Sequence, residues 1–458
     1  MLERCSLTEM ARLVRSGEVS SVELVEAHLA RIDQVNPRLR AFSQIFVDQA
    51  RSEAQRLAQL SPAGPLHGVP VTIKDGFEIQ GICIRAGSKL LERHCQSDAT
   101  TVARLRSAGA ILLGQTNVPE LLSSYETENF LTGRTVNPWH GDYTAGGSSG
   151  GEAAAIASYC SPGGVGSDGG GSIRIPSHFC GIVGFKPTRG RVGNGGSFPP
   201  CPLPAALVVS PGPMARTVAD VRLLFDQIQG EDERDSLSLP RPAPAHTDVP
   251  CVGLWRQFYH VPTHPEIQAA LDRAAACLQE CGLAIEEISL QGLERAPNVW
   301  AFFFGELRGL QIRDFVADRW ADTHWTLQET VPREAAVPDA RRIAAQLEER
   351  ERLRQLALEQ MRPYPLLLMP PAAIPAFRPG ERRYDLGGGK TVSQFPAMAQ
   401  ATLWNLLGFP ALVLPFGFTK EGLPVAVQLV GRPFQDELVL EVGEKLEQAR
   451  GPLRALPD

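Results

Sequence analysis

Residues 146–188 read GGSSGGEAAAIASYCSPGGVGSDGGGSIRIPSHFCGIVGFKPT, the most informative stretch of the chain. Two glycine-rich loops, GGSSGG at residues 146–151 and GSDGGGS at residues 166–172, flank a short Ala-rich segment that we predict to be helical. Glycine accepts backbone angles that other residues avoid and lets another group approach its N–H closely. The glycines before Ser172 therefore predict several amides directed toward one point beside a serine hydroxyl.

Amides that converge beside a hydroxyl are what acyl transfer requires. In an oxyanion hole, each preorganised N–H donor stabilises the transition state by roughly 3 kcal/mol. The alternatives are tight turns without function and a cradle for phosphate groups. No GK[ST] sequence directly follows either loop, and neither loop has the spacing of a dinucleotide-binding fingerprint, which argues against a nucleotide. Two such loops in one stretch favour acyl transfer over plain turns.

The composition is that of a globular chain without a nucleic-acid or membrane signature. The 458 residues are 43% hydrophobic and 21% charged, with a formal net charge of -6 and no basic run. Nucleic acid and anionic membranes are therefore not expected as partners. The N-terminus has no apolar segment of a signal peptide, and no apolar stretch approaches the ~18 residues of a membrane helix. We expect a cytoplasmic protein.

The nine cysteines are scattered along the chain. The closest pair, Cys277 and Cys281, has helical spacing and no histidine nearby, so the sequence suggests neither a disulfide framework nor a zinc site. We expect free thiols, no metal and no cofactor.

Helix and strand signals alternate before the first glycine loop, which is typical of an α/β protein. Ser6 and Ser20 each begin a capping-box pattern at the start of a helix. The apolar run GVPVTI predicts a buried strand that delivers Lys74 at its end. Further signals predict a helix over residues 100–107, a strand over residues 110–113 and a helix beginning at Pro119.

Three stretches outside the glycine loops bear on the site and its boundaries. The polar residues 125–143, YETENFLTGRTVNPWHGDY, are predicted to lie across the site. Seven aromatic residues fall between positions 300 and 325, which fits either core packing or one wall of a substrate pocket. The charged, proline-rich residues 230–250 are interpreted as a surface connection within one domain.

The chain resembles the amidase signature family, serine hydrolases that cleave amide bonds. The resemblance rests on Lys74, the GGSSGG loop and GSDGGGSIRIPSHFCGIVGFKPT, with further similarity in residues 7–32, 117–122, 133–139 and 405–434. It is weakest over residues 230–371, which we expect to be a variable, substrate-shaping region of a single domain spanning residues 1–458. The family implies an α/β fold, in which a large twisted mixed β-sheet lies between layers of α-helices.

The resemblance also implies the site. It places the Ser-cisSer-Lys triad of the family on Ser172 as nucleophile, Ser148 as bridging serine and Lys74 as base, with a cis peptide between Gly147 and Ser148. The remaining implied residues are the amides of an oxyanion hole and their support: Gly169, Gly170, Gly171 and Ser172 as donors, and Ser149, Asp168 and Arg174 as supporting residues.

The chemistry of these residue types agrees with that assignment. A serine hydroxyl is a weak nucleophile until a base removes its proton. No histidine motif is evident for this task, so the base falls to Lys74. Burial can keep a lysine partly neutral because it disfavours the ammonium form.

The chain departs from the family pattern at two positions. Gly169 stands where a larger residue, often Thr or Ile, is usual, and Ala145 stands where proline is common. The missing side chain at Gly169 predicts a wider pocket. The motif is more similar to that of bacterial amidases near fatty acid amide hydrolase than to the glutaminase subunit of the tRNA-dependent amidotransferases.

The sequence therefore predicts a serine amidohydrolase that acts through an acyl-enzyme. The expected partner is a small or medium, partly apolar amide, with aryl amides and carbamates (urethanes) as candidate substrates. Two alternatives stay open, namely an A-type glutaminase subunit of an amidotransferase, which would need protein partners, and a noncatalytic binding protein on the same fold. A monomer and a homodimer are both compatible with the sequence.

Overall fold

The computed structural model describes residues 1–242, 249 and 251–456. Most of its strands join one mixed sheet. The strands are β1 (Phe42–Ile45), β2 (Pro70–Lys74), β3 (Cys83–Ile84), β4 (Arg93–His94), β5 (Ile111–Thr116), β6 (Gly163–Asp168), β7 (Val183–Lys186), β8 (Ser210–Ala215), β9 (Cys251–Leu254), β10 (Ala284–Glu287), β11 (Leu366–Met369), β12 (Arg383–Asp385), β13 (Thr391–Ser393), β14 (Ala411–Phe418) and β15 (Pro424–Gly431).

Helices connect and cover these strands. They are α1 (Leu7–Ser16), α2 (Ser21–Leu39), α3 (Val47–Ala58), α4 (Thr100–Ser107), α5 (Gly150–Ala157), α6 (Arg174–Cys180), α7 (Val218–Ile228), α8 (Pro265–Glu280), α9 (Ala296–Trp300), α10 (Arg308–Val316), α11 (Trp325–Thr330), α12 (Ala340–Gln360), α13 (Gln394–Ala397), α14 (Ala399–Leu407) and α15 (Asp436–Arg450). A π-helical segment, Ala301–Leu307, joins α9 to α10. No helix within the described ranges is long and apolar enough to cross a bilayer.

The main sheet has eleven strands in the order β1-β5-β2-β6-β8-β7-β14-β15-β11-β9-β10, and β3–β4 and β12–β13 form separate hairpins. Strands β5, β2 and β6 run parallel, as do β11, β9 and β10. The strands between these two groups pair in antiparallel fashion. The predicted α/β fold with a large mixed sheet is therefore confirmed. Residues 230–371 contribute β9, β10 and β11 to it.

Helices cover both faces of the sheet. Along β5, Leu112 packs in one apolar cluster, whereas Ile111 and Leu113 pack in a second cluster. This alternation follows from the two-residue repeat of a strand, which sends successive side chains to opposite faces. The first cluster contains side chains of α1, α4, α7, α8 and α15, and the second contains side chains of α2, α3 and α5.

The parallel pairing of β2 with β6 positions the site. Ile73 pairs with Val165, so the carboxyl ends of both strands lie at the same edge of the sheet. Lys74 is the last residue of β2 and Asp168 is the last residue of β6. The loop between β6 and α6 carries Ser172. The sheet therefore brings Lys74 and the second glycine loop together.

Two local expectations have different outcomes. The helix predicted to begin at Pro119 is wrong, because the chain makes only a 3-10 turn over Glu120–Leu122. Leu121 and Leu122 have φ values of 49° and 59°, which a right-handed helix cannot continue. The connection predicted over residues 230–250 lies partly outside the described residues, at 243–248 and 250.

The capping box of α2 makes a contribution to stability that can be measured. The Ser20 hydroxyl accepts from the Glu23 N–H, and the Glu23 carboxylate accepts from the Ser20 N–H. We expect Ser20→Ala to lower the free energy of unfolding by about 1 kcal/mol, because a helix N–H loses its acceptor. Urea unfolding followed by circular dichroism measures the change.

Ser21→Ala is the matched control in the same helix. The Ser21 hydroxyl is buried and has no hydrogen-bond partner among the described residues, so its removal should not destabilise the protein. Equal losses in the two variants would contradict the assigned role of Ser20.

Candidate active site

Lys74 is buried and contacts Ser148. Its Nζ donates to Ser148 Oγ at 2.8 Å, to Ser167 Oγ at 3.1 Å and to the Ser167 carbonyl at 3.2 Å. Solvent does not reach the lysine side chain. All of its hydrogen-bond acceptors are thus neutral oxygens.

Burial lowers the pKa of Lys74 to about 7, because the ammonium form loses its hydration. The negative charge of Asp168 opposes this shift, the positive charge of Arg308 adds to it, and the carboxyl group of Glu152 opposes it. The amine is therefore partly unprotonated at neutral pH, which a general base requires.

The first glycine loop holds Ser148 next to this amine. The peptide bond between Gly147 and Ser148 is cis, which confirms the prediction for this bond. Ser149 ties this loop to the second one, since its N–H donates to the Ser172 carbonyl at 3.1 Å and its hydroxyl lies 3.5 Å from the Ser167 carbonyl. Ser149 thus contacts the region where it was predicted to give support.

Ser172 is the most accessible of the three predicted catalytic residues. It is 8% exposed, against 2% for Ser148 and 0% for Lys74, and it lines the same cavity as Ser148. Within the described part of the chain, the Ser172 hydroxyl makes no hydrogen bond. Of the two hydrogen bonds that the predicted relay requires, the one between Lys74 and Ser148 is present, and the one between Ser148 and Ser172 is not.

The Asp168 carboxylate shapes the second glycine loop. It accepts from the N–H groups of Gly171 at 2.6 Å, Ile173 at 3.1 Å and Arg174 at 3.3 Å. Gly171 has a φ of 109°, in the region that favours glycine. The loop therefore turns around a single carboxylate.

This arrangement corrects one predicted oxyanion donor. The Gly171 N–H is bound to Asp168, so it is not available to a substrate oxygen. Among the described residues, the N–H groups of Gly169, Gly170 and Ser172 have no hydrogen-bond acceptor. Three of the four predicted donors are thus free.

A buried ion pair fixes Asp168. Arg174 donates to it through Nε at 3.1 Å and Nη2 at 3.2 Å. Burial alone would raise the pKa of Asp168, but the charge and hydrogen bonds of Arg174 hold it well below its usual range. Asn405 donates to Asp168 Oδ1 at 2.9 Å, and Gln428 accepts from Arg174 at 2.9 Å. The sequence analysis missed Asn405 and Gln428, although both lie in the C-terminal segment of resemblance.

Glu152 is another buried carboxyl group. Unlike Asp168, it was not identified from the sequence. It accepts from the Thr72 hydroxyl at 2.5 Å and from the Thr116 hydroxyl at 2.7 Å. Burial raises its pKa to about 7, against the effect of these hydrogen bonds and of Lys74. A charged residue alone in the apolar run GGEAAAIA was the available signal.

The histidine that follows Ser172 in sequence plays a structural part. His178 is fully buried, its Nδ1 accepts from the Ala426 N–H at 2.9 Å, and its Nε2 lies 3.1 Å from the Ile374 carbonyl. Burial lowers its pKa to about 4. It lines neither cavity at Ser172, so Lys74 remains the candidate base next to the serines.

Two cavities meet at Ser172, with volumes of about 440 Å³ and about 260 Å³. Ser172, Phe304 and Arg308 line both of them. The larger one is further bordered by Ser148, Gly169 and residues 194–202, and the smaller one by Tyr125, Gly170, Trp300, Phe395 and Met398. A bound molecule can therefore extend from Ser172 in two directions.

Aromatic side chains form the wall beside the second glycine loop. A Cβ on Gly169 would lie 2.3 Å from Phe304 Cε2, and a Cβ on Gly170 would lie 2.4 Å from Trp300 Cζ2. The Trp300 indole donates to the Gly169 carbonyl at 2.6 Å, and the Tyr125 hydroxyl donates to the Gly170 carbonyl at 2.5 Å. The prediction of a wider pocket at Gly169 is therefore wrong, because the Phe304 ring occupies that space.

The aromatic residues between positions 300 and 325 serve both predicted purposes. Trp300 and Phe304 are stacked at the cavity wall, with centroids 5.3 Å apart and an interplanar angle of 16°. Trp320 instead packs in a separate apolar cluster with Leu121 and Ile312. The sequence alone could not show which of these aromatic residues line the cavity and which pack in the core, because that depends on the part of the fold that each side chain faces.

One cluster in the described residues has the composition of metal ligands. Candidate ligand atoms of Cys83, Glu92 and His94 lie within 4.8 Å of one another on and beside the β3–β4 hairpin. Glu92 also lies 3.3 Å from Arg85. None of these residues lines the cavities at Ser172.

Comparison with known proteins agrees with this geometry. The model of the family described as Amidase matches residues 23–440. The A subunit of glutamyl-tRNA(Gln) amidotransferase from Synechococcus sp. (strain CC9311) is 32% identical over 492 aligned positions, which cover 99% of each chain.

Two solved structures extend the comparison. A bacterial aryl acylamidase of the amidase signature family is 28% identical, with a TM-score of 0.85 over 97% of this chain and 96% of that one. Fatty acid amide hydrolase has a TM-score of 0.85 at 24% identity, over 98% of this chain and 86% of that one, and supports the fold alone. The family model and the relatives show that the chain belongs to the amidase family and is an enzyme that acts on amide C–N bonds.

Proposed function

We propose that this chain is a serine amidohydrolase that cleaves a carboxamide C–N bond through an acyl-enzyme on Ser172. The observation that carries the proposal is the buried Lys74 amine, 2.8 Å from Ser148 and beside the cavity that Ser172 lines. An amine with a pKa of about 7 can accept a proton at neutral pH. An ordinary lysine in water could not do so.

Acylation begins with proton transfer along the serines. Neutral Lys74 takes the proton of Ser148, Ser148 takes that of Ser172, and Ser172 Oγ attacks the carbonyl carbon of the amide. The carbonyl oxygen becomes negative and is met by the N–H groups of Gly169, Gly170 and Ser172. Such donors each stabilise the transition state by roughly 3 kcal/mol.

Collapse of the tetrahedral intermediate breaks the C–N bond. The Lys74 proton passes through Ser148 to the leaving nitrogen, which departs as a neutral amine. Water then attacks the acyl carbon and gives its proton to Lys74 through Ser148. The ester bond to Ser172 breaks, the proton returns through Ser148 to Ser172 Oγ, and the acid is released. The Asp168 and Glu152 carboxyl groups both favour the Lys74 ammonium while it holds the proton.

The cavities support a small or medium, partly apolar substrate. One group of the amide would occupy the larger cavity and the other the smaller cavity, against the Trp300 and Phe304 rings. Aryl amides and carbamates fit such a wall because their rings are flat and apolar. The similarity to an aryl acylamidase supports this choice. Residues 230–371 would shape specificity, because they supply both rings and Arg308.

A second candidate is the glutaminase subunit of an amidotransferase. The observation that favours it is the 32% identity to the A subunit of glutamyl-tRNA(Gln) amidotransferase over almost the whole chain. A glutaminase of this kind should hydrolyse glutamine and co-purify with other subunits. A noncatalytic role is disfavoured, because the lysine and both serines of the triad are retained.

A substrate panel separates these functions. Purified protein should be assayed with p-nitroanilides, primary amides including glutamine, and aryl carbamates, and labelled in parallel with a fluorophosphonate. Hydrolysis of anilides or carbamates would support the first candidate. Hydrolysis of glutamine alone would support the second, and absence of both labelling and turnover would contradict both.

Ser172→Ala should abolish both turnover and fluorophosphonate labelling while the protein stays folded, because only the hydroxyl attacks the amide carbon. Ser124→Ala is the matched control. Its hydroxyl, at the border of the smaller cavity, accepts from the Glu126 N–H at 3.0 Å, and within the described residues it makes no hydrogen bond to Lys74, Ser148 or Ser172. Residual activity of Ser172→Ala above a few per cent would contradict the assignment.

The pKa of Lys74 predicts a pH profile. The deprotonated fraction of a lysine grows as pH rises, so kcat/KM should increase about tenfold per pH unit below about 7 and level off above it. The Lys74→Arg variant should lose activity by orders of magnitude at every pH, since a guanidinium stays protonated. A flat profile between about pH 5 and about pH 9, with chemistry rate limiting, would argue against Lys74 as base.

The contact between Gly169 and Phe304 predicts coupling between two substitutions. The backbone of Gly169 does not adopt a positive φ, so Gly169→Ala should act only through the clash of its Cβ with the ring. In a double-mutant cycle on one p-nitroanilide, Phe304→Ala should reduce the cost of Gly169→Ala by about 1–3 kcal/mol. If the effects of Gly169→Ala and Phe304→Ala on kcat/KM were additive, the predicted clash between the Cβ and the ring would be contradicted, because the ring could then move aside without a loss of activity.

A further inference from the structure

Arg308 is a buried cation without a carboxylate partner. It is the first residue of α10 and is 5% exposed. Its Nη1 donates to Ser123 Oγ at 2.9 Å, and its Nη2 donates to the Leu121 carbonyl at 2.5 Å. Both acceptors are neutral, and in the described ranges no Asp or Glu forms an ion pair with this guanidinium.

The position of Arg308 links it to the reacting groups. It lines both cavities together with Ser172. Its charge contributes to the lowered pKa of Lys74, so the two cations lie within electrostatic reach of each other. The Phe304 ring centroid is 4.9 Å from its Cζ. The guanidinium thus lies where the two halves of a bound amide would meet.

Other arginines of the larger cavity are paired. Arg189 lies 3.1 Å from Asp235, and Arg234 lies 2.8 Å from Glu78. A guanidinium carries five N–H donors, and Arg308 uses two of them. Burial of a charge without a partner is unfavourable, and the neutral oxygens and the ring face offset only part of it. Arg308 therefore has unused capacity to bind an anion.

We propose that Arg308 binds a carboxylate of the substrate, so that the preferred substrates are amides carrying a negative charge close to the scissile bond. The inference rests on the proposed function of the same site. A carboxylate can accept two parallel hydrogen bonds from a guanidinium. An apolar part of the same molecule would lie against the Trp300 and Phe304 rings, whereas a neutral amide would leave the cation unpaired.

A different role would give a different signature. If Arg308 served only to keep Lys74 neutral, its replacement by methionine would raise the pKa of Lys74. The rising limb of the pH profile would then move to higher pH for charged and neutral substrates alike. Carboxylate binding instead changes the ratio between the two kinds of substrate at a fixed pH on the plateau.

The test uses two matched pairs of amides. The carboxylate lies on the acyl side in N-succinyl-p-nitroanilide, compared with its methyl ester, and on the amine side in 4-acetamidobenzoate, compared with the neutral 4-acetamidoacetophenone, which contains a single amide. In at least one pair, we expect the wild type to favour the carboxylate in kcat/KM by about tenfold or more. Arg308→Met should reduce that ratio by about the same factor. Arg313→Met is the control: Arg313 lies on the same helix as Arg308 but lines neither cavity, so its replacement should leave the ratio unchanged.

A binding measurement separates this inference from the proposed chemistry. Calorimetry with the Ser172→Ala variant compares the same pairs without turnover. Tighter binding of the carboxylate member supports the role of Arg308, even if the wild type hydrolyses neither compound. Failure to hydrolyse them would count only against the proposed hydrolysis. The proposal would be overturned if folded protein showed no preference for the carboxylate member in either binding or kcat/KM. It would also be overturned if neither member of a pair bound detectably.

Discussion

Burial of the Lys74 amine is the constraint on which the rest of the site depends. A lysine in water keeps its proton at neutral pH, whereas this one ends a fully buried strand, and its pKa falls to about 7. Parallel pairing of β2 with β6 places the amine beside Ser167, and the loop after β6 carries Ser172. The sheet therefore sets both the position and the proton affinity of the lysine. A change that admitted water at this edge would restore the ordinary pKa and remove the proposed base.

Asp168 links the backbone of the second glycine loop to the charges around it. Its carboxylate holds three loop amides and Arg174, and this choice of partners leaves the N–H groups of Gly169, Gly170 and Ser172 free. The same negative charge raises the pKa of Lys74 and so opposes part of the effect of burial. In the proposed mechanism this balance matters for turnover, because the amine must lose its proton before acylation and hold one afterwards.

Local sequence signals predicted the parts of the structure whose causes are local. The capping box at Ser20 and the buried strand that ends at Lys74 both depend on a few adjacent residues, and both are confirmed. The effect of Gly169 on the pocket could not be predicted, because the ring that fills the space belongs to Phe304 on a distant helical segment. The Gly171 amide was likewise assigned by analogy, whereas its acceptor is decided by the turn around Asp168. The sequence motifs thus predicted which residues lie together at the site. The contacts of individual atoms, such as the Gly171 N–H, depend on the packing of the folded chain and could not be predicted from the motifs.

The ionisation of Lys74 is the central claim, and it can be measured directly. The chain contains only six lysines, so NMR spectra of protein labelled with 13C at lysine Cε should be simple enough to titrate. Lys186 is also buried with a pKa lowered to about 7, and comparison of spectra of Lys74→Arg and Lys186→Arg assigns each signal. A Lys74 signal that titrates near pH 7 is the result expected here. A Lys74 signal that stays protonated to about pH 10, the ordinary range of lysine, would contradict the account.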